Sequence, residues 1–141
     1  MLNAKLFAVM ASIALLIAVL GRVRVLPYVG FRLVVGHFLL SSFHSQLLIA
    51  VISVNLAFGY YSLSRLTVDH RSQVIGLIGF LAMAMAFALR LTLDFILGRA
   101  ALPSVWQMVL FSATVHGLYL GVFLSIADLT WLAWALSRQR V

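Results

Sequence analysis

His44 and His116 stand inside long apolar stretches, and His37 precedes His44 by seven residues. An imidazole in hydrocarbon is expensive to keep, so it calls for a hydrogen-bonding partner, a water-lined cavity or a metal. Two imidazoles on opposite sides of an iron are the ligand set of a low-spin haem, which can be held edge-on between helices. Counting back from the far aromatic ends of their segments at 1.5 Å per residue, His44 lies roughly 24 Å from Tyr60 and His116 roughly 22 Å from Trp131. The two rings are thus expected at comparable depth, with Ser41, Ser42, Ser45, Gly117 and Gly121 leaving room for a flat macrocycle. His37 is on nearly the same face as His44 and is an alternative ligand. The plainer alternative stays open: each histidine bonds a nearby backbone carbonyl or serine.

The other polar residues are few. Arg90 and Asp94 are four apart and can form an ion pair on one helix face. Asp128, with Thr130 nearby, is expected at the membrane interface close to Trp131. Gln46 and Asn55 are candidates for interhelical hydrogen bonds, and His70, between Asp69 and Arg71, is expected in a solvated loop. No glycine-rich phosphate loop, paired carboxylates or Ser-His-Asp arrangement is present. Zinc would ask for three or four ligands, which the histidines do not compellingly supply.

The elements that must position these residues are spanning helices. Segments over about 2–20, 33–61, 74–97 and 105–136 are each near or beyond the roughly 20 residues that a bilayer core requires. The connections between them are short and contain Pro27 and Pro103. The expected fold is an all-α membrane protein, a single domain over residues 1–141 with four transmembrane helices in an antiparallel bundle, sequential helices lying side by side. Lys5 followed by an apolar run to Gly21 has the shape of a signal peptide. No small-x-small cleavage site precedes Arg22, so the first helix is expected to be retained. Tyr60, Tyr61, Trp106, Trp131 and Trp134 fall near helix ends, where aromatic rings favour the headgroup level.

Composition agrees. The chain is 65% hydrophobic and 9% charged, so lipid must solvate most of its surface. It has no cysteine, which excludes disulfides, thiolate metal sites and cysteine nucleophiles. Its net charge of +7 is spread between apolar runs, a pattern that meets lipid headgroups and argues against a nucleic-acid partner. With the N-terminus inside, Lys5, Arg65, Arg71, Arg138 and Arg140 are cytoplasmic, against Arg22, Arg24, Arg32 and Arg99 outside, a small bias towards that orientation.

The stretch from His44-Ser-Gln-Leu-Leu through Asn55-Leu-Ala-Phe-Gly-Tyr-Tyr-Ser-Leu-Ser-Arg65 resembles a helix of the haem-copper oxidase catalytic subunit, nearest its nitric oxide reductase branch. The resemblance continues through Ser72-Gln73 and Gly79-Phe80 to the turn Leu97-Gly98-Arg99-Ala100-Ala101-Leu102-Pro103, so the chain is similar to the last four helices of that subunit. It implies that His44 is a low-spin haem ligand and that the N-terminus is cytoplasmic. Ser42 stands where the family's high-spin haem ligand belongs, and the helices that bear the copper ligands and the second low-spin ligand have no counterpart. This chain alone therefore assembles no haem-copper catalytic centre, and an enzyme is not expected.

Three functions follow as expectations. The first is a small subunit of a respiratory-type complex, in a bacterial inner membrane, binding haem b between His44 and His116 for electron transfer or haem sensing. Its partners are the bilayer and other membrane subunits or a second copy, the latter an alternative source of His44 or His37. The second is a cofactor-free accessory subunit, packed through small-residue faces at Gly76/Gly79 and Gly117/Gly121. The third is a small transporter that titrates Asp94 or Asp128.

Overall fold

A computed structural model describes residues 2–22, 34–35, 38–39, 42–66, 70–97 and 105–139. Four helices carry the fold: α1 (Leu2–Arg22), α2 (Ser42–Ser64), α3 (His70–Leu97) and α4 (Val105–Gln139). Each contains a stretch long and apolar enough to cross a membrane: Leu2–Leu20, His44–Leu63, Gln73–Thr92 and Ser112–Gln139. Neither Pro27 nor Pro103 belongs to these four helices, so no backbone donor is lost to proline within a span. α4, at 35 residues, would be roughly 52 Å long, so it must tilt or protrude beyond a hydrocarbon core of about 30 Å.

The second helix begins at Ser42, not at Leu33. The residues ahead of it include a short antiparallel pair, β1 (Val34–Val35) with β2 (Phe38–Leu39), in which Val34 faces Leu39 and Val35 faces Phe38. Two adjacent β-branched valines followed by Gly36 favour extended backbone and a reversal over a helix. His70, expected in a loop, is the first residue of α3.

The helices pack as two hairpins, α1 on α2 and α3 on α4, which meet along narrower α1–α3 and α2–α4 seams. Among the described residues α2 and α3 make no close backbone approach, although they are consecutive in the chain. The order around the bundle is therefore α1-α2-α4-α3, and the α2–α3 connection crosses a diagonal. Sequential helices are not all neighbours, as a simple up-and-down bundle would have them. With directions alternating along the chain, the seam between hairpins joins parallel helices.

In lipid, burying apolar surface does not drive helices together, so close backbone approach and internal hydrogen bonds must. Each helix accordingly buries a stripe of small residues: Ala4, Ala11, Ala14 and Ala18 on α1, Ser45 and Ser53 on α2, Gly76, Gly79 and Ala86 on α3, Gly121 and Ser125 on α4. Closest contact falls at Gly79 and Gly121. A Cβ on Gly121 would lie 2.7 Å from the Gly79 carbonyl oxygen and 2.8 Å from the Met83 nitrogen, and one on Gly79 would lie 3.1 Å from the Gly121 oxygen. These neighbours are backbone and cannot step aside. Large apolar side chains such as Leu16, Val54, Met85 and Phe123 face outward, where hydrocarbon replaces water.

Polar side chains on the outward faces bond their own helix. Ser12 donates to the Ala8 carbonyl at 3.0 Å, Thr92 to Ala88 at 2.9 Å and Thr130 to Ile126 at 2.8 Å. Asn55, expected to reach a neighbouring helix, instead donates to the Val51 carbonyl at 2.8 Å.

Gly121→Ala is expected to cost about 1–3 kcal/mol by overpacking the α3–α4 contact. Gly59→Ala should be close to neutral, because its nearest neighbour is the movable Leu129 side chain at 3.0 Å. Thermal unfolding of the two variants in one detergent, followed by circular dichroism, checks the contrast; equal melting shifts would refute it.

Candidate functional site

One group of buried polar side chains, Asn3, Tyr60, Ser125 and Asp128, lies near the end of the bundle where α1 and α3 begin and α2 and α4 approach their C-termini, while Ser45, Gln46 and Thr114 are buried towards the other end. Tyr60, on α2, is only 3% exposed, and Asp128, on α4, only 2%. The Tyr60 hydroxyl donates to Asp128 Oδ2 at 2.8 Å and lies 3.5 Å from the Ser125 carbonyl oxygen. The Tyr60 ring stacks on Phe7 of α1, centroids 5.6 Å apart and planes within 3°. Phe7, fully buried, meets Phe80 of α3 edge to face at 5.4 Å. Asn3 donates to the Gln73 carbonyl at 3.2 Å and joins α1 to α3 at the same level. Gly76 leaves the space in which Asn3 Nδ2 and the Tyr60 hydroxyl meet α3, since a Cβ there would run into both.

Local sequence explains why these side chains point inward. Tyr60 continues the buried row Ser45, Ile49, Ser53, Leu56 on α2, with steps of four and three residues. Asp128 continues Thr114, Leu118, Gly121, Ser125 on α4 in the same way. Both residues were expected near the headgroups from their distance to helix ends, and the structure shows both side chains buried between helices. The signal that would have found them is a polar residue in phase with a small-residue stripe. Tyr61, one residue out of that phase, is 41% exposed, as an interfacial tyrosine should be.

The histidines lie elsewhere. His44 and His116 are both exposed, on the sides of α2 and α4 about 160° from the centres of the buried stripes at 100° per residue. His44 is sixteen residues, or roughly 24 Å, before Tyr60, and His116 is twelve, or roughly 18 Å, before Asp128. The Tyr60–Asp128 bond sets those two residues side by side, so the imidazoles differ in height by about one helical turn. The serine and glycine intended as room for a macrocycle, Ser45 and Gly121, are used in packing.

His116 has a defined partner. Its Nδ1 lies 2.7 Å from the Ser112 carbonyl oxygen and 3.4 Å from the Ser112 hydroxyl. A carbonyl oxygen only accepts, so Nδ1 carries the hydrogen, and in the neutral ring Nε2 is left with its lone pair on the outward side. His37 lies outside the described residues, as do the side chains of Asp94 and Ser42, while Arg90 is half-buried. Among the described residues, no three His, Asp or Glu side chains gather in a metal-binding group.

No protein-family model, curated protein or solved structure matches this chain. What the fold defines is a small four-span helical membrane protein.

Tyr60→Phe removes the donor to a buried carboxyl oxygen and is expected to cost about 1–3 kcal/mol. Asp128→Asn keeps an acceptor at that place and should cost less. In Tyr60→Phe/Asp128→Leu both polar partners are gone, and part of the single-variant loss should return, since removing both sides of a buried hydrogen bond is cheaper than removing one. The melting temperatures of these variants and of Asp128→Leu alone test this; strictly additive losses in the Tyr60→Phe, Asp128→Leu cycle would show that the two residues are not coupled.

Proposed function

We propose that this chain is an integral membrane subunit that works against another membrane chain, its interior given over to holding the helices in register and its outward faces to the partner. The observation that carries this reading is the sorting of polar groups. Tyr60, Asp128 and Asn3 tie the helices together inside the bundle, whereas the exposed His116 directs a ring nitrogen away from it. Around it on the outward face of α4 are the exposed Val109, Tyr119, Leu120 and Phe123. Pure hydrocarbon solvates such an imidazole poorly, and a partner helix relieves that cost. Photo-crosslinkers placed at Tyr119 and Phe123 in native membranes should give a discrete adduct, and those at Val9 and Leu16 of α1 should not. Adducts of equal yield from both faces would dismiss the reading.

The His116 hydrogen bond favours a second reading, in which that partner surface holds a b-type haem. An imidazole whose Nδ1–H is fixed on a backbone carbonyl presents Nε2 as a ligand, the usual arrangement around a metal-bound histidine. His116 would hold the group from this chain, and His44 or His37 of a second copy would supply the other ligand. When bound, haem with two imidazole ligands supplies one-electron transfer and has no open coordination site. This chain's part is to fix the ring through Ser112 and to shield the group with α4's apolar side chains. It would then be an electron-transfer or haem-sensing subunit of a respiratory-type complex, in keeping with a bacterial inner membrane and a cytoplasmic N-terminus. The purified protein should show a sharp reduced-minus-oxidised Soret and alpha band, lost in His116→Ala and in His44→Ala. A colourless preparation with native melting behaviour excludes the haem and leaves the accessory role.

A further inference from the structure

A groove of about 380 Å³ opens on the outward surface between α1 and α2, at the same end of the bundle as Tyr60. Ala4 and Ala8 of α1 and Ala57 of α2 line it with methyl groups, Phe58 and Tyr61 add aromatic rings, and Lys5 belongs to the same lining. Phe58 is 71% exposed, so the groove faces the lipid. Arg65 sits next to it, its guanidinium carbon 4.5 Å from the centre of the Tyr61 ring. Lys5, on α1, and Arg65, in the turn that follows α2, thus bring two cations to one groove. Stacking on the ring holds the guanidinium by its face and leaves its N–H edge available to an oxyanion.

Depth adds to this. The apolar stretch of α1 begins at Leu2 and that of α2 ends at Leu63, so both cations are at the rim of the membrane while the methyl-lined trough leads inward. Lys5 can lay its stem along the groove and keep its ammonium at the headgroups. A phosphate bound by two cations above an apolar channel is the chemistry of one molecule type abundant in that setting. We infer that this groove is a binding site for an anionic phospholipid, with the headgroup phosphate between Lys5 and Arg65 and an acyl chain laid over Ala4, Ala8 and Ala57.

Native mass spectrometry of the detergent-solubilised full chain, titrated with phosphatidylglycerol or phosphatidylcholine, tests the site. The unmodified protein should retain phosphatidylglycerol at lower lipid concentration, and Lys5→Gln or Arg65→Gln should each weaken that preference roughly five-fold. Arg138→Gln removes the same charge from the same end of the bundle, but at the Trp134 ring of α4, and should change it less than two-fold. Ala8→Leu, at an exposed position that leaves the core intact, should weaken retention of both lipids. No preference in the unmodified protein, or an equal loss in Arg138→Gln, overturns the proposal in favour of diffuse surface attraction. Unchanged binding in Ala8→Leu overturns the acyl-chain contact.

Discussion

The hydrogen bond from Tyr60 to Asp128 is the constraint on which the arrangement of helices depends. A membrane bundle has no water to push its parts together, and apolar side chains are as well solvated by lipid as by each other. Seams between helices must then be specified by groups that lipid cannot satisfy. Asp128 is such a group, and its donor comes from the neighbouring hairpin at 2.8 Å. Because the tyrosine ring also stacks on Phe7 and its hydroxyl reaches the space left by Gly76, one side chain is in touch with all four helices. Sliding either hairpin by a turn, about 5.4 Å, would break that bond and leave the carboxyl buried away from its donor. The Asn3–Gln73 bond repeats the device on the other parallel seam, between α1 and α3.

Within each hairpin the determinant is different. α3 and α4 approach until the backbones at Gly79 and Gly121 are in contact, which no larger residue allows. α1 meets α2 through alanines and serines. Small residues thus fix the distance inside a hairpin, and a few hydrogen bonds fix the register between hairpins. Neither task depends on the histidines, which keeps the outward faces of α2 and α4 free to change without loss of the fold.

Much of this could be read from the chain alone. Four apolar stretches of spanning length, two prolines confined to connections and paired glycines on the third and fourth helices gave the class, the number of spans and the close-packed faces. What escaped was rotation. A soluble helix shows its buried side by contrast with a charged one, but a lipid-facing side is as apolar as the core, so the amphipathic pattern almost vanishes. Tyr60 and Asp128 were consequently placed by their distance from helix ends, which suggested headgroups, and His44 and His116 by matched depth, which says nothing of direction. The diagonal α2–α3 connection escaped as well, because a short loop sets antiparallel sense but not which pair shares a seam. The late start of α2 is a local matter of Val34, Val35 and Gly36.

The polar residues on the lipid side do not all ask the same of their surroundings. Ser12, Thr92 and Thr130 each carry one donor, and a single bond to the carbonyl four residues back uses it. Asn55 bonds the Val51 carbonyl through one N–H of its amide, and that bond serves neither the second N–H nor the carbonyl oxygen. His116 makes the same backward bond to Ser112, yet an imidazole has two polar ring atoms on opposite edges, and one backward bond can serve only the nearer. The farther nitrogen is carried outward by the geometry that satisfies the first. A hydroxyl in this position would be content in hydrocarbon; an imidazole is not, and lies on a face otherwise made of Leu120, Phe123 and Tyr119. The energetic requirement for something beyond lipid therefore falls on side chains with more than one polar atom, Asn55 and His116, and at His116 a neighbouring helix meets it by a hydrogen bond or an iron meets it by coordination.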